Sequence, residues 1–364
     1  MFLAIRELKH SKVRYLLIGL IMVLVAWLVF IISGLANGLS AENASSIQGM
    51  DADYFMMESN VEHKLNRSTI PLDTLSEVRS STGVEGAEAL GQMMLTFNKE
   101  GTSKKTDVTI FATDANGFLA PKIVEGKSYD NKKKGDIVAN DSLKEDGYKV
   151  GDTVVDELSG NKFTIVGFTE NQSYSHTPVV YMNVKGWQGI NPQLKNTDAI
   201  STIAVQMDQG EEGPLKSVSD VELITKDEML QSIPGFKEEQ GTLAMMIAFL
   251  FVIAAFVLAV FFYVITLQKT NQFGVMKALG ASTGYLAKSI VGQVFMLAVV
   301  CIASSVALTY GVTFIMPEGM PFELSTSLVI QYSILLLIVS VLGSLLSLYR
   351  VSKIDAIEAI GRVA

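Results

Sequence analysis

The chain has 364 residues, of which 49% are hydrophobic and 18% are charged, and its formal net charge is −8. Soluble domains carry about 25% charged residues, so this composition excludes a wholly soluble globular protein. The deficit of charge lies in a few long apolar runs, whereas residues 40–242 have the composition of an ordinary soluble domain.

Acidic and basic residues divide the chain in the same way. Residues 40–242 contain 32 acidic and 19 basic residues, whereas the remainder contains 5 acidic and 10 basic residues. Basic flanks of membrane helices face the cytoplasm, so residues 40–242 are predicted to lie outside the cell. This block has no basic stripe, and we therefore expect no nucleic-acid partner. Because Cys301 is the one cysteine, the block must fold without a disulfide bond.

The first apolar run covers residues 15–35 and follows a basic N-terminal segment. Its roughly 21 residues exceed a signal-peptide core and match the ~30 Å thickness of the hydrocarbon layer. Residues 33–38 lack a clear cleavage pattern, although removal as a signal peptide remains the alternative. The run therefore predicts a retained membrane helix with its N-terminus in the cytoplasm.

Three further apolar runs follow the soluble block, at residues 243–267, 286–316 and 328–349. The charges flanking them agree with one topology, in which both termini lie inside. We therefore predict four transmembrane helices, one plus three, with an extracytoplasmic mixed α/β domain, in a multi-pass protein of the cell membrane. The predicted segments are a cytoplasmic N-terminal segment at 1–14, membrane helices at 15–39, 243–267, 286–316 and 328–349, an extracytoplasmic domain at 40–242, a cytoplasmic coupling loop at 268–285, an outer loop at 317–327 and a cytoplasmic C-terminal segment at 350–364.

The extracytoplasmic block has the residue pattern of a mixed α/β domain. Residues 106–112 and 162–168 alternate apolar and polar side chains, which predicts half-buried strands. Turn signals at residues 151–152 and 159–161 flank a short predicted strand at residues 153–157. Residues 71–80 and 226–232 are predicted to form short helices.

Sequence motifs of enzymes are missing. Gly126-Lys127-Ser128 ends like an ATP-binding P-loop, but Pro121 stands where the first glycine is needed, so the segment is predicted to be a turn. HExxH, GxSxG and CxxC motifs do not occur. We therefore expect no catalytic residue, no intrinsic cofactor and no metal site.

Within the cytoplasmic coupling loop, residues 268–282 are predicted to form a short amphipathic helix, the inner-loop helix. Gly280 is suited to its C-cap. Its apolar face is small, and its polar face carries two lysines. Two interpretations follow from this pattern: docking onto another protein, or an interfacial helix lying on lipid headgroups.

Three stretches together resemble a known family. Residues 272–282 are similar to the inner-loop signature of MacB-type permeases, which belong to the FtsX-like superfamily of ABC systems. Residues 350–360 resemble the family's C-terminal signature, which usually has proline where this chain has Ala356. Residues 135–168 are similar to the family's extracytoplasmic domain. The resemblance covers essentially the whole chain.

The resemblance implies a homodimer in membrane lipid that binds two copies of a separate cytoplasmic ATPase. ATP and Mg²⁺ would be held only by that partner, and its closure would be passed along the helices to the outer domains. The matching motifs imply these ATPase-coupling residues: Gln272, Phe273, Gly274, Met276, Lys277, Leu279, Gly280, Asp355 and Glu358. Of these, the side chains of Phe273, Met276, Lys277 and Leu279 are expected to face the ATPase.

Several stretches also resemble haem-exporter permeases of Gram-positive bacteria, namely residues 30–39, 42–43, 174–176, 261–264 and 320–322. Haem would be the substrate of such a protein, and its iron accepts His, Met, Tyr or thiolate ligands. The candidate haem-binding residues are Tyr174, His176, Glu239, Met245 and Met246. Each has a structural alternative, since loop Tyr–His pairs, gap-filling methionines and solvated acidic faces are common.

Four functions remain open from the sequence. The haem-exporter-like stretches favour haem efflux for detoxification. The same architecture also serves efflux of antimicrobial peptides or drugs, lipoprotein release, and FtsX-like signalling that activates a cell-wall hydrolase.

Overall fold

The computed structural model describes residues 12–99, 104–194, 197–208, 210, 212–268, 270–317 and 320–352. The chain divides into two compact units. The outer unit comprises residues 39–240, and the membrane unit comprises the residues before 39 and after 240.

Helices and strands are numbered along the chain. The helices are α1 (Lys12–Gln48), α2 (Thr74–Ser80), α3 (Val184–Ile190), α4 (Lys226–Ser232), α5 (Phe236–Gln268), α6 (Thr270–Ala278), α7 (Thr283–Thr313) and α8 (Thr326–Ser352). The strands are β1 (Tyr54–Glu58), β2 (Ile70–Pro71), β3 (Val84–Lys99), β4 (Lys105–Ala112), β5 (Ile123–Gly126), β6 (Asp136–Asn140), β7 (Thr153–Asp156), β8 (Lys162–Thr169), β9 (Ser173–Tyr174), β10 (Thr177–Met182), β11 (Ala199–Ile200), β12 (Thr202–Met207) and β13 (Val221–Thr225).

Four helices, α1, α5, α7 and α8, are long and apolar enough to cross a membrane. The 37 residues of α1 make it about 55 Å long, well above the ~30 Å of hydrocarbon. Both α1 and α5 extend past the predicted boundaries at residues 39 and 243. Hydropathy marks only the part of a helix that lies in lipid, so these polar continuations do not show in the apolar runs.

The membrane unit satisfies its buried hydroxyl groups within its own helices, as a medium without water requires. Five of them donate to a backbone carbonyl four residues earlier, at distances of 2.7–2.8 Å, and Ser344 donates to the carbonyl of Val341, three residues earlier, at 2.7 Å. The five donors are Ser33, Thr266, Ser305, Thr309 and Ser340. These bonds let polar side chains lie among apolar neighbours without an unpaired hydrogen.

Two glycines of α1 make room for the link between α7 and α8. A methyl group added at Gly34 would lie 2.4 Å from the ring of Phe322, and one at Gly38 would lie 2.3 Å from the carbonyl oxygen of Pro321. The backbone amide of Glu323 donates to the carbonyl of Gly34 at 3.0 Å. Glycine is therefore required at both positions by close approach of the link.

The outer unit contains a mixed sheet in the order β13-β1-β12-β3-β4-β10-β6-β8-β5, with β7 beside β3 and β8, and β9 beside β10. The pairs β4–β10 and β6–β8 are parallel, and the other pairs of this sheet are antiparallel. A second, two-stranded sheet joins β2 and β11. The 16 residues of β3 are bonded to β12, β4 and β7.

Apolar side chains cover both faces of the large sheet, because successive residues of a strand point to opposite sides. On one face Met56, Ile110 and Val180 pack with Val78 of α2 and Trp187 of α3. A second cluster lies on the other face. It comprises Phe55, Phe111 and Tyr181 with Ala44 and Ile47 of α1, Met229 of α4 and Phe236 of α5. The ends of α1 and α5 within the outer unit thus form part of its core.

Most of the predicted local elements are confirmed. Strands occupy residues 105–112, 153–156 and 162–169, and α4 spans residues 226–232 as expected. The predicted helix at 71–80 begins later, at Thr74, because Pro71 belongs to β2 and Asp73 caps the helix. The predicted turn at 126–128 is wrong, because Gly126, with a φ of +77°, ends β5 and the amide of Lys127 still donates to the carbonyl of Val166 in β8.

We predict that Gly38→Ala destabilises the membrane unit, because the added methyl would meet backbone atoms that cannot rotate away. Overpacking of this kind costs about 1–3 kcal/mol. Thermal unfolding can be followed with a thiol-reactive dye, because buried Cys301 becomes accessible only on unfolding. Gly311→Ala is the matched control, since a methyl there meets no atom within 4 Å. Equal unfolding temperatures for Gly38→Ala and Gly311→Ala would contradict the claim that close packing requires glycine at position 38.

Candidate functional site

The candidate residue His176 lies in a two-residue turn between β9 and β10. Tyr174 pairs with Thr177 across the hairpin, and the turn residues Ser175 and His176 have φ of +50° and +59°. Positive φ at both turn positions defines a type I′ turn, which favours Asn-Gly. Two residues with bulkier side chains therefore hold a conformation that costs each of them roughly 1–3 kcal/mol.

Hydrogen bonds fasten this hairpin to the part of α1 that lies in the outer unit. The amide of Ser175 donates to the carbonyl of Asn43 at 2.7 Å. The hydroxyl of Ser46 donates to the carbonyl of Ser173 at 2.8 Å, and the amide of Ser173 donates to the hydroxyl of Ser45 at 2.9 Å. Both backbone and side chains of α1 thus position the turn.

The imidazole of His176 lies between two carboxylates from different helices. Its Nδ1 is 3.9 Å from Glu42 Oε2 of α1, and its Nε2 is 3.6 Å from Glu239 Oε2 of α5. The side chain of His176 is 45% exposed, and that of Glu239 is 20% exposed. Fully buried Asn43 donates through Nδ2 to the same oxygen of Glu239 at 3.1 Å. Three segments of the outer unit therefore meet at Glu239.

Tyr174 does not face this cluster, and its predicted role as a candidate haem-binding residue stays a prediction. Its ring is buried, with its centroid 5.4 Å from that of Phe111 in the core. Burial raises the pKa of the Tyr174 hydroxyl well above its ordinary value, which disfavours the tyrosinate that iron requires.

In the described part of the chain, no three His, Cys, Asp or Glu side chains are arranged to hold a metal ion. Met245 and Met246 belong to α5 within the membrane unit, and both side chains are exposed. They are accessible thioethers, and their assignment to a haem site stays a prediction.

The predicted inner-loop helix is present as α6, and Gly280 ends it with a φ of +92°. The amide of Gly280 donates to the carbonyl of Lys277, and the amide of Ala281 donates to the carbonyl of Met276, which together form a Schellman motif. This cap confirms the prediction for Gly280 and fixes the direction in which the chain leaves α6.

The side chains of α6 divide between the interior of the membrane unit and its surface. The ring of Phe273 is buried among Phe262, Leu286 and Ile290, and its expected contact with an ATPase stays a prediction. Met276 packs partly against the same cluster, whereas Gln272 is exposed and Leu279 is 83% exposed. Gly274 is buried and Lys277 is half-buried. Asp355 and Glu358 lie outside the described residues.

Sequence reasoning did not assign a site role to Glu42 or Asn43. The signal was present, since both follow the first apolar run and the pair is itself one of the stretches that resemble haem-exporter permeases. Their importance depends on α1 continuing to Gln48, which hydropathy does not show.

Comparison with known proteins gives full-length relatives. Residues 16–214 match the family described as MacB-like periplasmic core domain, and residues 244–356 match the family described as FtsX-like permease C-terminal. A protein of Staphylococcus haemolyticus, described as a candidate hemin transport system permease HrtB, is 33% identical over 99% of both chains. Its counterpart in Staphylococcus epidermidis is 29% identical over 99% of both chains.

A solved structure shows a more distant likeness. The periplasmic region of MacB from Actinobacillus actinomycetemcomitans is 12% identical and covers 51% of this chain and 94% of its own, with a TM-score of 0.38.

We predict that the double variant Ser175→Asn, His176→Gly raises the unfolding free energy by about 1 kcal/mol or more. Relief of turn strain of roughly 1–3 kcal/mol per residue exceeds the ~0–1 kcal/mol of an exposed ion pair. Thermal unfolding of the purified chain measures the change. A lower unfolding temperature of the double variant would contradict this prediction. It would show that the contacts of the imidazole stabilise the chain by more than the strain of the turn destabilises it.

Proposed function

Because the chain belongs to the MacB and FtsX-like family of ABC transporter permeases, we propose that it is the membrane subunit of a haem exporter. The observation that carries this proposal is the 33% identity over 99% of both chains to a relative described as a candidate hemin transport permease. Haem would be the substrate and not a resident cofactor. Export of a toxic amphiphile from the membrane would protect the cell.

A separate cytoplasmic ATPase would supply the energy at α6. Its cap fixes the end of the helix, and Leu279 presents an apolar side chain that the membrane unit leaves uncovered. In this proposal Phe273 and Met276 anchor α6 to α5 and α7. Gln272 and Leu279 contact the ATPase. A push on α6 would then be passed directly to α5 and α7, which share the Phe273 cluster.

ATP-driven motion would reach the outer unit through α1 and α5, in a homodimer embedded in lipid. An ATPase can bias an outer domain only if its two states bind the permease differently. The continuous helices of 37 and 33 residues suit such mechanical coupling, since neither ends where the hydrocarbon layer ends.

The accessible haem ligand in this proposal is His176, whose imidazole is half-exposed. Its Nδ1 lies 3.9 Å from Glu42 Oε2 and its Nε2 lies 3.6 Å from Glu239 Oε2, so carboxylates on both sides would orient the ring. Met245, Met246 and Glu239 remain secondary candidates. Tyr174, whose ring is buried, is not a ligand in this proposal.

We predict a saturable shift of the Soret band when haem is titrated into the detergent-purified permease. His176→Ala should weaken haem binding about tenfold or more, because it removes the accessible nitrogen ligand. Tyr174→Phe is the matched control, since it deletes only a buried hydroxyl, and its titration should follow that of the unmodified chain.

Other outcomes of this titration are equally informative. A shift that survives in both variants would keep haem as the substrate and move its site toward Glu239 and Met245. The absence of a saturable shift would contradict the haem proposal and favour peptide efflux or signalling.

We predict that Leu279→Asp abolishes co-purification of the ATPase subunit expressed with the permease. A charge at this exposed apolar position opposes docking without disturbing the buried contacts of α6. Leu158→Asp is the matched control, because Leu158 is 90% exposed and lies in the outer unit. Normal ATPase recovery with Leu279→Asp would show that this end of α6 is not the docking surface.

A further inference from the structure

The corner of the outer unit around Glu239 joins three segments that are far apart in the chain. They are residues 42–46 of α1, residues 173–177 of the hairpin, and the first turn of α5. All three belong to the outer unit.

The hairpin links α1 to the middle of the large sheet. Its second strand, β10, lies between β4, with which it is parallel, and β6, with which it is antiparallel. The hydroxyl groups of Thr177 and Thr109 are 2.7 Å apart, which ties the start of β10 to β4. A displacement of residues 43–46 therefore reaches central strands through direct hydrogen bonds.

Glu239 links α5 to both of the other segments through a single oxygen. Its Oε2 accepts from Asn43 Nδ2 at 3.1 Å and lies 3.6 Å from His176 Nε2. The second nitrogen of His176 faces Glu42, so the imidazole spans the gap between the two helices. These two carboxylates are the charged groups that face His176 from α1 and α5.

We propose that these residues form a clasp that holds the outer ends of α1 and α5 to the sheet throughout the transport cycle. The clasp comprises Glu42, Asn43, Ser45, Ser46, residues 173–177 and Glu239. His176 and Glu239 are its positioning residues, and the inference rests on the proposed function. It explains why a strained turn carries a histidine, because glycine would relieve the strain and leave the two helix ends unbridged.

The clasp gives Glu239 and Asn43 a role that does not require contact with substrate. Asn43 is fully buried, and its amide can be reached only from within the protein. Loss of the clasp should therefore separate ATP hydrolysis from movement of the outer unit, while leaving the sheet folded.

The test uses the full permease with its ATPase and two readouts. The first is haem export in proteoliposomes, and the second is the difference in amide hydrogen exchange at residues 173–182 between ATP-trapped and nucleotide-free complexes. Glu239→Ala should lower export at least tenfold and abolish the exchange difference, with ATP hydrolysis retained. His63→Ala is the matched control, because His63 also has positive φ and lies 3.5 Å from a carboxylate, that of Glu222.

A conservative replacement distinguishes a mechanical role from a ligand role. The variant Glu239→Gln keeps a side-chain oxygen that can accept from Asn43 Nδ2 but removes the carboxylate, so it should retain export and the exchange difference. Loss of both readouts in Glu239→Gln, or wild-type behaviour of Glu239→Ala in both readouts, would overturn the clasp. If haem is the wrong substrate, the unmodified chain will also fail to export it, while the exchange difference still tests the clasp.

Discussion

The membrane unit depends on one constraint: hydrocarbon offers no partner to a backbone amide or carbonyl. Helices satisfy that constraint internally, and the buried hydroxyls of Ser305, Thr309 and Ser340 satisfy it by bonding to their own helices. In the proposed function, a signal from the cytoplasm would travel along these helices. Both α1 and α5 continue beyond the ~30 Å that lipid requires.

The ends of α1 and α5 are packed into the core of the outer unit. Ala44 and Ile47 of α1 and Phe236 of α5 are buried with Phe55 and Phe111 of the sheet. The ends of α1 and α5 in the outer unit are therefore part of its core. Ser45 and Ser46 of α1 hydrogen-bond to the hairpin of His176, and Glu239 of α5 lies 3.6 Å from the imidazole, so packing and polar contacts both link the helices to the strands.

Much of this architecture could be predicted from residue patterns, because hydropathy and strand alternation are local signals. Apolar runs gave the four membrane helices, and alternation gave the strands at residues 105–112 and 162–169. The directions in which individual side chains point could not be predicted from these patterns. Phe273 and Tyr174 were expected at functional surfaces, but both rings are buried, since burial depends on neighbours distant in sequence. The link from Asn43 to Glu239 spans 196 residues and has no local signal at all.

The most direct test of the account is ATP-dependent haem transfer in proteoliposomes that contain the permease and its ATPase with the nucleotide sites facing outward. Haem loaded into the membrane should be delivered to a haem-binding protein trapped inside only when ATP and Mg²⁺ are present and both subunits are included. Transfer that is independent of ATP, or vigorous ATP hydrolysis with no transfer, would contradict the assignment of this permease to haem export.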